Sequence, residues 1–78
     1  MLLEIISPDK EIYKGDVELI QLPGVEGSFE ILNNHAPLIS VLKKGKIKIH
    51  DNSKKEHFFE IKRGVIEVLK NEIIILIE

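Results

Sequence analysis

Residues 22–38 read Leu-Pro-Gly-Val-Glu-Gly-Ser-Phe-Glu-Ile-Leu-Asn-Asn-His-Ala-Pro-Leu, the most distinctive segment of the chain. It contains two of the three prolines and two of the five glycines. Proline fixes φ and glycine accepts positive φ, so Pro23-Gly24 predicts a tight turn, and Asn33-Asn34 predicts a second one. Between them polar and apolar residues alternate, as in a strand with one buried face. The segment therefore predicts a short strand between two turns that expose polar side chains.

Short strands are predicted on both sides of this segment. Ile47 and Ile49 alternate with Lys46 and Lys48, which indicates a strand with one solvated face. We count nine candidate strands in all, with residues 10–14 and 16–22 as separate strands on either side of a break, and no window has a helical period. This spacing favours an all-β fold, either an antiparallel sandwich or a small barrel.

Length and composition set the broad class of the protein. The 78 residues form one domain, residues 1–78, which buries only about 60–65% of the unfolded surface. Cysteine is absent, so no disulfide supplements the small core, and we expect a partner chain instead. The net charge of -2 creates no positive electrostatic potential that would attract nucleic acid or an anionic membrane. No leader is visible and the longest apolar run, 73–77, is far too short to span a membrane, so a soluble intracellular protein is expected.

The candidate groups for metal binding and catalysis lack the required spacing. No pair of histidines has a zinc-ligand spacing, although His50 and His57 could meet across a hairpin as an ordinary exposed pair or, less favourably, as two metal ligands. No serine lies in a Gly-x-Ser-x-Gly elbow, and the glycines at 24–27 precede no phosphate-binding helix. Glu26 and Glu30 could form an acid/base pair, but a small sandwich offers no evident cleft around them for a substrate. We expect no catalytic, cofactor or metal site, and no enzyme.

Two further patterns concern surfaces. The lysines between residues 43 and 55 have no interleaved aromatic residues, so they favour a solvated strand face over nucleic-acid binding. The last strand, from Glu72 to Ile77, is apolar on both faces. Either it lies between two sheets, or its outer face binds another chain.

Residues 23–38 resemble the epsilon subunit of F-type ATP synthase, in which a Pro-Gly-x-x-Gly-x-Phe turn and strand lead into His-Ala-Pro-Leu. Four flanking segments resemble it too: Leu-Glu-Ile-Ile-Ser-Pro (3–8), Tyr-Lys-Gly-Asp-Val (13–17), Leu-Lys-Lys-Gly-Lys-Ile-Lys-Ile (42–49) and Gly-Val-Ile-Glu-Val (64–68). The resemblance implies an antiparallel β-sandwich of about nine to ten short strands. It also implies a non-catalytic subunit of the rotor, or central stalk, which links the gamma subunit to the c-ring and supports coupling of proton transport to ATP synthesis.

The resemblance also implies the location and the contact residues. The chain would be peripheral to the cytoplasmic face of the bacterial inner membrane, as part of F1. Its c-ring-facing edge would comprise Glu26, Ser28, Asn33, Asn34 and His35. Its gamma-facing surface would comprise Ile73, Ile75 and Ile77 of the terminal apolar strand.

Three features limit how far the family's properties apply to this chain. The sequence has Ser28 where relatives often have an acidic residue, which weakens an ion pair with the ring. Relatives commonly continue into two inhibitory C-terminal helices, and nothing in residues 1–78 corresponds to them, so no inhibitory arm is expected here. His35 has an alternative role as a structural residue of its own turn. A free-standing sandwich adaptor that binds a peptide along an open edge is the alternative function.

Overall fold

The computed structural model describes residues 1–78, in which every regular element is a β-strand. The eight strands are β1 (Leu2–Ile6), β2 (Glu11–Gly24), β3 (Gly27–Leu32), β4 (Leu38–Leu42), β5 (Gly45–Asp51), β6 (Glu56–Ile61), β7 (Gly64–Leu69) and β8 (Glu72–Ile77). No helix with the length and apolar character needed to cross a bilayer is present.

The eight strands form one hydrogen-bonded sheet that folds into two layers, called here the first and second sheets, which share β2 and also meet where Gly24 of β2 pairs with Leu42 of β4. The first sheet has the order β2-β1-β8-β7-β4, and the second has the order β3-β2-β5-β6. All pairs are antiparallel except β1 with β8, which is parallel. The 14 residues of β2 would extend about 46 Å if straight, whereas the longest dimension of the molecule is 27 Å. The strand must therefore bend, and its pairing with β5 shifts register between Val17 and Leu19, as expected at a bulge.

The inner faces of both sheets contribute to one hydrophobic core. Fifteen buried hydrophobic residues form a single cluster, and no polar side chain is buried with them. They are Met1, Leu3, Ile5, Val17, Ile20, Leu22, Ile31, Leu42, Ile47, Ile49, Ile61, Ile66, Val68, Ile73 and Ile75. Because both faces of this core come from sheets, the architecture is the predicted β-sandwich, and the all-β prediction is confirmed.

The strand count differs from the prediction, because two predicted strands are one. Gly15 was expected to break the chain, but it pairs with Leu3 in the middle of β2. The bulge also changes which side of β2 is buried. Val17 is buried, and the next inward residue is Ile20 rather than Leu19, which strict alternation would place there. Eight strands, one of them long and bent, replace the nine to ten short ones.

The turn after Leu22 lies two residues later than predicted. Pro23 and Gly24 belong to β2, where Gly24 pairs with Gly27, and the turn is Val25-Glu26. A Cβ on Gly24 would lie 2.6 Å from the Gly27 carbonyl oxygen and 2.8 Å from the Phe29 ring. The glycine thus provides space for close strand contact rather than a turn conformation. Positive φ is needed instead at Gly27, where φ is +128°.

Candidate partner-binding surfaces

The outer side of the first sheet carries a continuous apolar surface, formed by outward residues of β1, β8, β7 and β4 and called here the apolar face. In the strand register Ile6 lies beside Leu76, Leu76 beside Val65, and Val65 beside Val41. These four residues form an apolar row across all four strands. Leu76 is 53% exposed and Val41 54% exposed, so the row is accessible to a partner.

One end of the apolar face is concave. A hollow of about 560 Å³ lies there, with Ile6, Val41, Val65 and Leu76 among its lining residues. An ion pair between the Arg63 guanidinium and the Glu78 carboxylate lies at the same end. The hollow is therefore shaped to receive a protruding apolar side chain, with the Arg63–Glu78 ion pair at its border.

The structure corrects the residues expected to face the gamma subunit. Ile73 and Ile75 are 1% and 0% exposed, respectively, so both lie in the core and neither can contact a partner. Ile77 is half-buried. The outward residues of β8 are Ile74 and Leu76, because side chains alternate along a strand. The expectation that β8 has two apolar faces is correct, but the outer face was assigned to the wrong residues.

The five residues of the predicted c-ring-facing edge lie along β3 and the turns at its two ends. Glu26 lies in the β2–β3 turn and Ser28 is exposed in β3, whereas Asn33, Asn34 and His35 follow the other end of the strand. β3 pairs only with β2, so its outer edge is free. Seven residue steps separate Glu26 from Asn33, or about 23 Å of extended chain. The five residues thus form a long edge rather than a compact cluster.

The β2–β3 turn is held against β4. The Val25 N–H donates to the Val41 carbonyl at 3.3 Å, and the Lys43 N–H donates to the Pro23 carbonyl at 2.8 Å. Val25 nevertheless remains 55% exposed at the tip of the turn. The turn is therefore a braced projection that presents one apolar side chain beside Glu26, a feature that the sequence interpretation missed.

The turn after β3 is held by hydrogen bonds that sequence reasoning did not find. The Asn33 Oδ1 accepts from the Met1 ammonium at 2.7 Å, and the Asn34 N–H donates to the Asn71 Oδ1 at 2.8 Å. The His35 Nδ1 lies 2.7 Å from the Ala36 carbonyl oxygen, and it donates because a carbonyl only accepts. These contacts give the predicted residues roles within the chain, and the local contact of His35 supports its alternative role in its own turn.

The two histidines of the β5–β6 hairpin do not face each other. His50 pairs with Glu56 in the register, and its Nε2 lies 2.7 Å from the Glu56 Oε2. His57 lies opposite Ile49, and its Nε2 lies 3.0 Å from the Asp51 Oδ2. Each imidazole thus has its own carboxylate partner. No group of three or more metal-ligating side chains comes together in the structure.

Asp51 fixes the turn of this hairpin. Its Oδ1 accepts from the backbone N–H groups of Ser53 and Lys55, at 2.8 and 3.0 Å. The hydrogen bond from His57 lowers the pKa of Asp51 below its ordinary value of 3.8, and the Lys55 N–H lowers it further. Burial raises the pKa of the nearby Tyr13 hydroxyl, and the charge of Asp51 adds to that increase.

We expect Asp51→Asn to reduce the dependence of stability on acidic pH. A lowered carboxyl pKa stabilises the folded chain above pH 3.8 and ceases to do so as the pH falls through the lower folded value. The wild-type melting temperature should therefore fall between pH 5 and pH 2 more steeply than that of the variant. Thermal unfolding by circular dichroism checks this.

Asp9→Asn is the matched control, since Asp9 is exposed and makes none of the side-chain hydrogen bonds or ion pairs that hold Asp51. It should keep the wild-type pH profile. Equal acid sensitivity of Asp51→Asn and the wild type would contradict the stabilising role of the Asp51 charge.

The fold and the apolar face together define a small β-sandwich domain with an exposed surface of the kind that other proteins bind. Residues 1–78 match the sequence model of the ATP synthase delta/epsilon chain β-sandwich domain, and the chain belongs to this family. The family membership that the resemblance of residues 23–38 indicated is confirmed.

Curated relatives carry the same family name. The ATP synthase epsilon chain of Chlorobium limicola is 40% identical over 76 residues, which cover 97% of this chain and 86% of the relative. The ATP synthase epsilon chain of Campylobacter concisus is 43% identical over 74 residues, which cover 95% of this chain and 57% of the relative. The chain thus spans most of the first relative and somewhat more than half of the second.

Two solved structures share the fold. A chain in the mitochondrial ATP synthase of Euglena gracilis, solved with OSCP, F1 and the c-ring, aligns with a TM-score of 0.93 at 20% identity. A chain in the central stalk and c-ring structure of the Tetrahymena thermophila mitochondrial ATP synthase aligns with a TM-score of 0.83 at 23% identity. Each alignment covers 99% of this chain, and they cover 49% and 62% of the solved chains, respectively.

Proposed function

We propose that this chain is the β-sandwich of a rotor (central stalk) subunit of F-type ATP synthase, which links the gamma subunit to the c-ring. Family membership and the relatives named ATP synthase epsilon chain support the proposal. The observation that carries it is the apolar row Ile6, Leu76, Val65 and Val41, which crosses four strands and is left uncovered by the chain itself. An exposed apolar surface of this continuity is typical of a permanent subunit contact.

We assign the gamma subunit to the apolar face. Gamma would cover the outward residues of β8, Ile74 and Leu76, in place of the buried Ile73 and Ile75. The hollow beside Leu76 supports this assignment, because it can receive a side chain from the partner.

We assign the c-ring to the long edge of β3, with Glu26, Ser28, Asn33, Asn34 and His35. The free outer edge of β3 and the braced projection at Val25 support this assignment. The internal hydrogen bonds of Asn33 and Asn34 give this edge a fixed shape, so these residues would position the surface while Glu26 and Ser28 contact the ring.

The mechanism that follows is mechanical. A sandwich with a single core and eight paired strands resists deformation, so it can transmit force between two partners that it binds on different surfaces. The chain would form or break no covalent bond, and it would support the coupling of proton transport to ATP synthesis by holding gamma to the ring. It would lie at the cytoplasmic face of the bacterial inner membrane through the complex.

Co-purification with the gamma subunit of the same organism tests the proposal. We expect a mixture at micromolar concentration to elute as one complex in size-exclusion chromatography, because subunits that stay together in a rotor must bind stably. The chain alone and gamma alone provide the reference positions. Two separate peaks from the mixture would rule out the assignment and leave the adaptor as the better interpretation.

A further inference from the structure

Of the three carboxylates on the apolar face, Glu4 of β1 lies between Ile74 and Lys14 in the strand register, whereas the other two, Glu67 and Glu72, have only apolar cross-strand neighbours. Glu67 on β7 has Ile39 and Ile74 as its cross-strand neighbours, and Glu72 on β8 has Leu2 and Leu69. Each of these two carboxylates is thus flanked by apolar residues on both neighbouring strands. They are diagonal neighbours on adjacent strands, about 7–8 Å apart.

Neither carboxylate has a cationic partner within the chain. The five ion pairs of the structure involve other acidic residues: Glu56, which pairs with two partners, Glu18, Asp51 and Glu78. Lys14, which lies opposite Glu4 at the border of the face, and Lys70, in the β7–β8 turn, form none of these pairs. The apolar face therefore carries unpaired negative charge.

The outer side of the second sheet differs. There Lys46 lies opposite Glu60, and Lys48 and His50 both approach Glu56. Charges of both signs are mixed on that sheet, so the acidic character is a property of the apolar face and not of the whole surface.

Covering the apolar face has an electrostatic consequence. A partner that buries Leu76 and Ile74 also removes water from Glu67, because Ile74 is the direct neighbour of Glu67. A carboxylate that loses water without gaining a cation or hydrogen-bond donors destabilises the complex. Two like charges about 7–8 Å apart add repulsion once water is excluded.

We propose that the gamma surface that binds the apolar face is apolar and basic, with a Lys or Arg side chain placed between Glu67 and Glu72. An Arg is favoured, since its planar guanidinium can donate to two carboxylates at once. This inference rests on the proposed function, and it adds the chemistry of the partner and the residues that recognise it.

A second copy of the chain does not fit this surface. A two-fold dimer through the apolar face would bring the same patch of both copies together, so the carboxylates of one copy would meet an acidic face. The complementary surface must come from a different chain.

Neutralising both carboxylates tests the inference. We expect the double variant Glu67→Gln and Glu72→Gln to bind the gamma subunit of the same organism about tenfold or more weakly at 50 mM salt. Wild-type affinity should fall as salt rises to 500 mM, whereas the affinity of the variant should change little. Isothermal titration calorimetry at several salt concentrations measures both effects.

The matched control is Glu30→Gln with Glu60→Gln, which removes the same charge from the outer side of the second sheet. Both residues are exposed and form no ion pair, so this variant should bind gamma like the wild type. If Glu67→Gln with Glu72→Gln binds as tightly as the wild type at every salt concentration, the inference is overturned while the proposed function stands. If the wild type does not bind gamma at all, the proposed function fails, and the inference with it.

Discussion

The Leu76→Asp variant should lose most of its affinity for the gamma subunit and keep its fold. Leu76 lies at the centre of the apolar row, between Ile6 and Val65, and it lines the hollow. An aspartate there would remove an apolar contact and bring an unpaired charge into the interface. Losses at such central positions are about 2–4 kcal/mol, or roughly 30- to 700-fold in Kd. Titration calorimetry with the gamma subunit of the same organism measures the change.

Leu32→Asp provides a control of equal exposure. Both leucines are 53% exposed, but Leu32 lies on β3, on the outer side of the second sheet. The same chemical change at the same exposure should leave gamma binding within about twofold of the wild type, because surface substitutions outside an interface have small effects. Wild-type affinity in Leu76→Asp together with lost affinity in Leu32→Asp would place gamma on the second sheet.

In β5 and β6, where polar and apolar residues alternate and no bulge interrupts the strand, the orientation of single side chains could be predicted from the sequence. In β5, Ile47 and Ile49 are buried as expected, and in β6 Phe59 is half-buried while Phe58 is 50% exposed. An alternating pattern states directly which face is solvated, so the prediction succeeds without knowledge of any other strand.

A uniformly apolar strand gives no such information. Every residue from Ile73 to Ile77 is apolar, so a shift of one position changes nothing in the pattern and reverses every side chain. The buried side is decided by pairing with β1 and β7, which are far away in the sequence. This is why Ile73 and Ile75 were expected at the surface and are found in the core.

The bend of β2 could not be predicted from the sequence, for a different reason. Glycine usually weakens a strand, so Gly15 was interpreted as a break, and Gly24 was assigned to a tight turn with Pro23. In the structure Gly24 provides space for the Phe29 ring, and the bulge between Val17 and Leu19 transfers β2 from one sheet to the other. Both effects depend on neighbours that the local sequence does not identify.

The candidate site was predicted only in part. Residues 22–38 point to β3 and its turns, because their motif is continuous in the sequence. The apolar row combines residues from four separate strands, and only the register brings them together. The Glu67 and Glu72 carboxylates likewise differ from other surface carboxylates only through the apolar residues beside them on neighbouring strands. A surface assembled by pairing cannot be recognised in any one segment.

Ile75→Ala should be the most damaging of the conservative substitutions in β8. Ile75 is fully buried and lies between Ile5 and Ile66, which are also fully buried. Shortening such a side chain costs about 2–5 kcal/mol, through lost transfer free energy and the cavity left behind. A domain of this length has a total stability of only about 4–12 kcal/mol, so the variant should lose a large fraction of it.

Ile74→Ala removes the same atoms from the other side of the same strand. Ile74 is 39% exposed on the apolar face, so its truncation should cost about 1 kcal/mol or less in the isolated chain. Urea denaturation of both variants measures the difference from the shift in midpoint at constant slope. Equal losses would contradict the assignment of the two faces of β8. A loss confined to Ile75→Ala, together with weaker gamma binding by Ile74→Ala, would show that one strand uses one apolar face for folding and the other for its partner.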